Sequence, residues 1–353
     1  MTSPSAPSLS SKASPAALNR ALTLLPGSAL SAVVAAAAAL VASRHGGPVF
    51  LYALMIGVAL HHLSHEPRST PGIKFCARAC LRLGVGLLGA RITAQQVMHL
   101  GWSTALLVAA GVVSTIVLGL AIGRRLGFTS AQGVLAGGAV AICGASAALA
   151  ISAVLPRDKN AERHTLMVVV AVTLLSTVAM VAYPLIASAV GLPAREAGIF
   201  IGATIHDVAQ VIGAGYTLGP EAGDIATIVK LFRVAMLTVV VFAISLAFKR
   251  ARAAAQPHAE GGRAVRSAPL VPWFLVLFVA MVAVNSSGVL PPAAVRGLGE
   301  TSQVLLVVAV AALGMKTSFR DLAKAGWRPV ALILVETAWL AALVLACLVG
   351  ARA

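Results

Sequence analysis

The sequence predicts an all-α polytopic membrane protein of about eleven transmembrane helices, some of them discontinuous and arranged as inverted repeats. Three observations carry this. First, 59% of the 353 residues are hydrophobic, only 11% are charged, and the mean hydropathy is +0.93. A water-facing exterior needs more charge than that. Second, apolar runs long enough for a spanning helix, about 18 residues or more, recur along the chain. The strict apolar/polar alternation of an outer-membrane barrel is absent. Third, most of the Lys and Arg behind the net charge of +16 lie between these runs, where the positive-inside rule places them. The charge therefore marks a lipid-embedded chain, with no nucleic acid as partner.

Residues 1–20, rich in Ser, Ala and Pro and without periodicity, read as a disordered tail. The transporter-like remainder, 28–350, divides into spans at 28–43, 48–63, 73–91, 101–122, 129–155, 165–190, 195–216, 222–248, 270–288, 301–316 and 327–350. The first resembles a signal-peptide core, but the spans that follow favour a true helix. The polar loop 249–268, KRARAAAQPHAEGGRAVRSA, separates two halves. Counting Lys and Arg by loop puts the N-terminus in the cytoplasm. The loop 156–164, with Arg157, Lys159 and Arg163, dissents. Whether 129–155 and 195–216 span or re-enter stays open, and a re-entrant 129–155 flips the parity after it.

Residues 88–102, LGARITAQQVMHLGW, and 313–327, LGMKTSFRDLAKAGW, share Leu, Gly, Gly and Trp at equal spacing, with Arg91/Lys316 and Thr93/Ser318 alike in chemistry. Seven spans separate the copies, so they would face opposite sides. Inverted repeats of this kind are a common device of secondary transporters. Chance similarity between two helix–turn–helix connections gives the same pattern.

Three groups of residues carry chemistry. In AGGAVAICGASAA (136–148), Gly137, Gly138 and Gly144 interrupt an apolar run around Cys143, Ala145 and Ser146. Each glycine costs a helix about 1 kcal/mol relative to alanine. An unwound segment here would expose amides, and the positive end of a following half-helix, to an anion. Close packing through small residues is the alternative. In GATIHDVAQVIGAG (202–215), His206, Asp207 and Gln210 lie within a second apolar run. A carboxylate at that depth needs a partner, a cation or a proton. It either pairs with Arg82, Lys230 or Arg233, or titrates during transport. Third, Lys74, Arg78 and Arg82 recur every four residues on one helix face, and Lys230 and Arg233 share a face of a later span. Lys74 and Arg78 can snorkel. Arg82, with its planar fork, suits sulfate or carboxylate oxygens. The deep acids Asp207 and Glu336 leave the deep cations in surplus, which points to a small anionic substrate.

His61, His62 and His65 at a span end read as interfacial rather than metal-binding, and Cys76, Cys80, Cys143 and Cys347 as small buried residues. No hydrolase, zinc-protease or phosphate-loop motif is present, so neither an enzyme nor a cofactor is expected.

The stretches LRLGVGLLGARI (81–92), ICGASAA (142–148), TIHDVAQVIGAG (204–215) and LAKAGW (322–327) resemble the YeiH-like bacterial inner-membrane proteins, a family labelled sulfate exporters. The resemblance covers most of 45–350. It implies a place in the cation:proton antiporter and anion transporter superfamily, with an inverted-repeat fold, discontinuous helices, an elevator-like motion and a multi-pass location in the inner membrane. Elevator relatives are often dimers, which implies a homodimer. By motif, Cys143, Gly144, Ser146, His206, Asp207 and Gln210 carry over as site residues.

The reading is a secondary transporter of a small anion (sulfate, a sulfonate or a carboxylate), proton- or ion-coupled. Cys143, Gly144, Ala145, Ser146, His206, Gln210, Arg82, Lys230 and Arg233 form the site, and Asp207 and His206 couple. The alternatives are a cation:proton antiporter built on Asp207 and a non-transporting membrane scaffold.

Overall fold

The computed structural model describes residues 15–156, 161–249, 272–317 and 327–352. Among these the chain is helical, with no strand. Six helices are long and apolar enough to cross a membrane: α1 (Pro15–His45), α6 (Gly101–Arg125), α9 (Ala161–Ala189), α12 (Pro220–Ala247), α14 (Pro292–Lys316) and α15 (Trp327–Gly350). Two shorter apolar helices, α2 (Val49–Ala59) and α13 (Trp273–Ser286), accompany them. Large apolar side chains such as Leu106, Val239 and Trp327 are exposed on the long helices. Lipid is the solvent that suits such an exterior.

Several expected spans change character. The segment 73–91 is a column of α3 (Thr70–Phe75), a π-turn at Cys76–Cys80, α4 (Leu81–Leu88) and a 3-10 turn at Gly89–Arg91. The wide π-turn offsets the angular drift of positions four apart, which keeps Lys74, Arg78 and Arg82 along one side. The run 129–155 is two helices, α7 (Ser130–Ala141) and α8 (Ala145–Ser152). The run 195–216 is likewise α10 (Ala194–Thr204) and α11 (Val208–Thr217). The first helix begins at Pro15 rather than 28, and α14 begins at Pro292 rather than 301. A short helix, α5 (Ala94–His99), opens with a capping box between Thr93 and Gln96. Tail residues 1–14, nearly all of the loop 249–268, and residues 318–326 of the second repeat copy lie outside the described residues.

Small residues set the packing. Gly57 of α2 and Gly314 of α14 cross so closely that a β-carbon at 57 would lie 2.5 Å from the Ala311 carbonyl oxygen, and one at 314 would lie 2.5 Å from that of Leu54. Backbone contact of this kind is how membrane helices gain dispersion energy when burial from water does not drive them together. Gly297, on the same helix, has nothing within 4 Å. Gly314→Ala should therefore lower the melting temperature of purified protein, costing about 1–3 kcal/mol by overpacking. Gly297→Ala should leave it unchanged or slightly raised.

Candidate functional site

The two interrupted helices meet at their breaks. The α7 helix ends at Ile142, whose φ of −117° and ψ of −80° leave the helical region. The chain then turns through Gly144, with φ +61° and ψ −125°, before α8 begins. That φ is the reason for glycine here, because a β-carbon would find its nearest neighbour at an ordinary 3.5 Å, the His206 β-carbon. The second break is Ile205–Asp207. Asp207 caps α11, accepting from the Ala209 N–H at 2.9 Å, and its own N–H donates to Ser176 Oγ of α9 at 2.9 Å. The two interruptions thus fall at Ile142–Gly144, within the glycine-marked segment, and at Ile205–Asp207.

Breaking a helix orphans its last carbonyls. Here α12 supplies the donors. The Lys230 ammonium donates to the carbonyls of Ile142 (2.6 Å), Ile205 (2.9 Å) and His206. The Arg233 guanidinium donates to those of Val140 (3.0 Å), Ala141 (2.6 and 2.9 Å), Gly202 (3.1 Å) and Ile205 (3.0 Å). Both side chains are fully buried, at 0% and 1% exposure. Two cations thus sit at the negative ends of α7 and α10, the favourable place for them in a helix dipole.

This corrects part of the expected site. Lys230 and Arg233 have their donors turned to backbone, so they do not offer hydrogen bonds to a solute, and neither forms an ion pair with Asp207 or Glu336. His206 is buried with Nδ1 3.1 Å from the Val140 carbonyl oxygen and Nε2 3.0 Å from Thr337 Oγ1 on α15. Gln210 is buried too, and its Nε2 donates to Thr177 Oγ1 of α9 at 2.7 Å. Glu336 pairs with no cation among the described residues.

The remaining candidates converge. Arg82, Cys143, Ser146 and Asp207 line one cavity of about 150 Å³, walled by Leu81, Val85, Val208, Val234, Leu237, Pro272 and Phe274. The starts of α8 and α11 open on it, Gly144 and Ala145 lying between Cys143 and Ser146. Arg82 makes no hydrogen bond or ion pair among the described residues, so its fork is uncommitted. The cavity therefore carries a guanidinium, a hydroxyl and two helix N-termini, the features that receive an oxyanion. It also carries one carboxylate. Among the described residues, no group of three His, Cys, Asp or Glu could hold a metal ion. Sequence reasoning missed Ser176, Thr177 and Thr337, since a lone Ser or Thr in an apolar helix gives no signal of what it faces.

The family model described as "Conserved hypothetical protein 698" matches residues 26–333. The chain is 50% identical over 320 residues to the UPF0324 membrane protein TauZ of Paracoccus denitrificans, covering 90% of this chain and 93% of that protein. It is 47% identical over 325 residues to a UPF0324 membrane protein of Chlorobaculum tepidum, covering 92% and 89%. The chain belongs to the UPF0324 membrane protein family. This is the family that the YeiH-like motifs pointed to. A further UPF0324 member, from Rhizobium meliloti, is 44% identical over 321 residues, covering 91% of both chains. No solved structure matches the chain significantly.

If Lys230 holds the breaks together, its loss should show in stability. Lys230→Met strands two buried carbonyls, those of Ile142 and His206, because the Ile205 carbonyl keeps its bond from Arg233; the cost is about 1–3 kcal/mol for each unsatisfied group. Thermal unfolding in detergent should shift down by many degrees. An unchanged melting temperature would return Lys230 to the list of solute-binding residues.

Proposed function

We propose that this UPF0324 protein is a secondary active transporter of a small anion (a sulfate, sulfonate or carboxylate). The observation that carries the reading is the cavity at the crossed helix breaks, which the uncommitted Arg82 lines together with residues at the N-terminal ends of α8 and α11. In this reading Arg82 supplies the charge and directional donors. Ser146 and the first amides of α8, at Ala145 and Ser146, meet the oxygens. Cys143 and Gly144 shape the wall. Lys230 and Arg233 act from behind the breaks, where they offset the negative ends of α7 and α10.

A second cavity supports movement across the membrane. It holds about 130 Å³ and is lined by Phe50, Leu88, Arg91, Tyr216, Pro220, Gln303 and Leu306. The first cavity meets α4 and α11 near their starts, at Arg82 and Val208. The second meets them near their ends, at Leu88 and Tyr216. Cavities at both ends of one helix pair suit alternating access, in which a core carrying the breaks moves against its neighbours. In this reading each broken pair and the 70–91 column make single crossings beside the six long helices and the two shorter apolar ones, eleven in all. The repeat copies at 88–102 and 313–327 fit an inverted pair, with the N-terminus cytoplasmic in a bacterial inner membrane. A homodimer would anchor the static part. Asp207, in the cavity beside Arg82, couples a proton or cation. His206, locked between Val140 and Thr337, positions the break instead.

The presence of Asp207 in the cavity also favours a second reading, a cation:proton antiporter. Two variants separate them. In proteoliposomes, Arg82→Ala should lower flux of the transported anion roughly 10- to 100-fold, the range expected for losing hydrogen bonds to a charged group. Arg82→Lys should recover part of it, because a point charge replaces the fork. Unchanged anion flux in Arg82→Ala, with cation exchange abolished by Asp207→Asn, would establish the antiporter.

A further inference from the structure

Glu336 is housed unlike every other acid in the described residues. It stands nine residues into α15, about 14 Å along the helix at 1.5 Å per residue, and is 0% exposed. Neither carboxyl oxygen has a hydrogen-bond partner. Its Oε1 fills the space that a side chain at Gly119 of α6 would occupy, since a β-carbon there would lie 2.5 Å away. Gly119 also meets the backbone of Gly133 and Gly137 on α7, so the carboxyl is pressed into a crossing of three helices made of small residues.

The helices packed against α15 are α6, α7, α9 and α10. Their titratable and charged groups are few. The α7 helix has none, and α6 has Arg124 and Arg125 in its last turn. The α9 helix brings Glu162, Arg163 and His164 at its start, and Tyr183 further along; α10 brings Arg195 and Glu196 in its first turn. The second break brings His206 and Asp207. On α15 itself there are Arg328 and Cys347. None is bonded to the carboxyl. A buried carboxylate without cation or donor is too costly to keep ionised and neutralises instead. A mere packing role would be filled better by leucine.

The next residue connects this carboxyl to the site. Thr337 Oγ1 lies 3.0 Å from His206 Nε2, within the second helix break. Residues 336 and 337 point about 100° apart on α15. One holds the helix against α6 and α7, and the other touches the break that lines the Arg82 cavity. We propose that Glu336 is a proton-carrying residue: its carboxyl holds a proton in this arrangement and releases it when α15 and the broken helices shift relative to α6. The step is the gain of one proton from water by a carboxylate oxygen and its later return to water, with no other bond changed. This rests on the transporter reading and names its coupling ion.

The test uses purified full-length protein and two readouts. Infrared difference spectra across a pH titration in detergent should show a neutral-acid carbonyl band that disappears in Glu336→Gln, with the variant monodisperse and thermally stable. This readout needs no substrate. In proteoliposomes loaded in turn with sulfate, a sulfonate and a dicarboxylate, anion counterflow should persist in Glu336→Gln. Accumulation driven by a pH gradient should fall to the level seen without one, and Glu336→Asp should restore part of it. A band that survives in Glu336→Gln, or gradient-driven accumulation at the wild-type level, overturns the proposal. If wild-type protein moves none of these anions, the transport reading fails instead, while the infrared band still reports whether Glu336 carries the proton.

Discussion

The structure depends on two cations being answered by backbone rather than by acid. Lys230 and Arg233 gather the carbonyls of residues 140, 141 and 142 from one broken helix and 202, 205 and 206 from the other. Neither break would persist in an apolar medium otherwise, because unwound carbonyls in lipid cost several kcal/mol each. Nor would the cations be tolerated there alone. Each side solves the other's desolvation problem, so α12 works as a peg through two interrupted helices. With the breaks held open, the N-terminal ends of α8 and α11 are free to face a cavity.

The division of labour among the charges follows from geometry. Lys230 and Arg233 lie behind the breaks, whereas Arg82, borne on α4, lines the cavity in front of them. The α9 helix fixes the second break by its hydroxyls, with Ser176 accepting from the Asp207 amide and Thr177 from the Gln210 side chain. Neutral bonds of this sort orient the break without adding charge. Asp207 spends one oxygen on its own helix as a cap, which holds the carboxylate at the mouth of α11. Under the proposed function, a solute anion and Asp207 would occupy the same cavity. That competition gives a physical basis for coupling the state of Asp207 to occupancy of the cavity.

Much of this was legible in the residues, and the parts that were not share a cause. Composition and run length sufficed for an all-α membrane chain. Gly144 and the polar residues His206 and Asp207 lie at the two breaks, whereas Gly137 and Gly138 lie inside α7 and serve close packing against α6 and α8, the alternative that small residues also allow. The roles of Lys230 and Arg233 were misjudged because counting side-chain charge ignores backbone acceptors. The surplus of cations over acids looked like a vacancy for a solute, whereas most of it is taken up by carbonyls that no residue count reveals. Gln210 and His206 have partners on neighbouring helices for a related reason. Sequence shows that a polar side chain lies deep, but only packing shows whether it faces a cavity or a neighbouring helix.

Glu336 completes the electrostatic picture from the other direction. The cations of the breaks are matched to acceptors, and Arg82 and Asp207 share a cavity, but this carboxyl has no counterpart among the described residues. Its Oε1 sits at the small-residue crossing of α6 and α7, where a side chain at Gly119 would otherwise stand. The glycines that make room for it are the ones that let α6 and α7 approach, so the carboxyl reports on that crossing. An ionised form would favour an arrangement in which the crossing opens to water. A neutral form favours the closed one. Because Thr337 on the same helix touches His206, a change at the crossing reaches the second break without passing through the cavity. In the proposed transporter, occupancy of the cavity and the state of the crossing would bias one set of helices from two separate places. That is the arrangement required for one solute's gradient to drive another's.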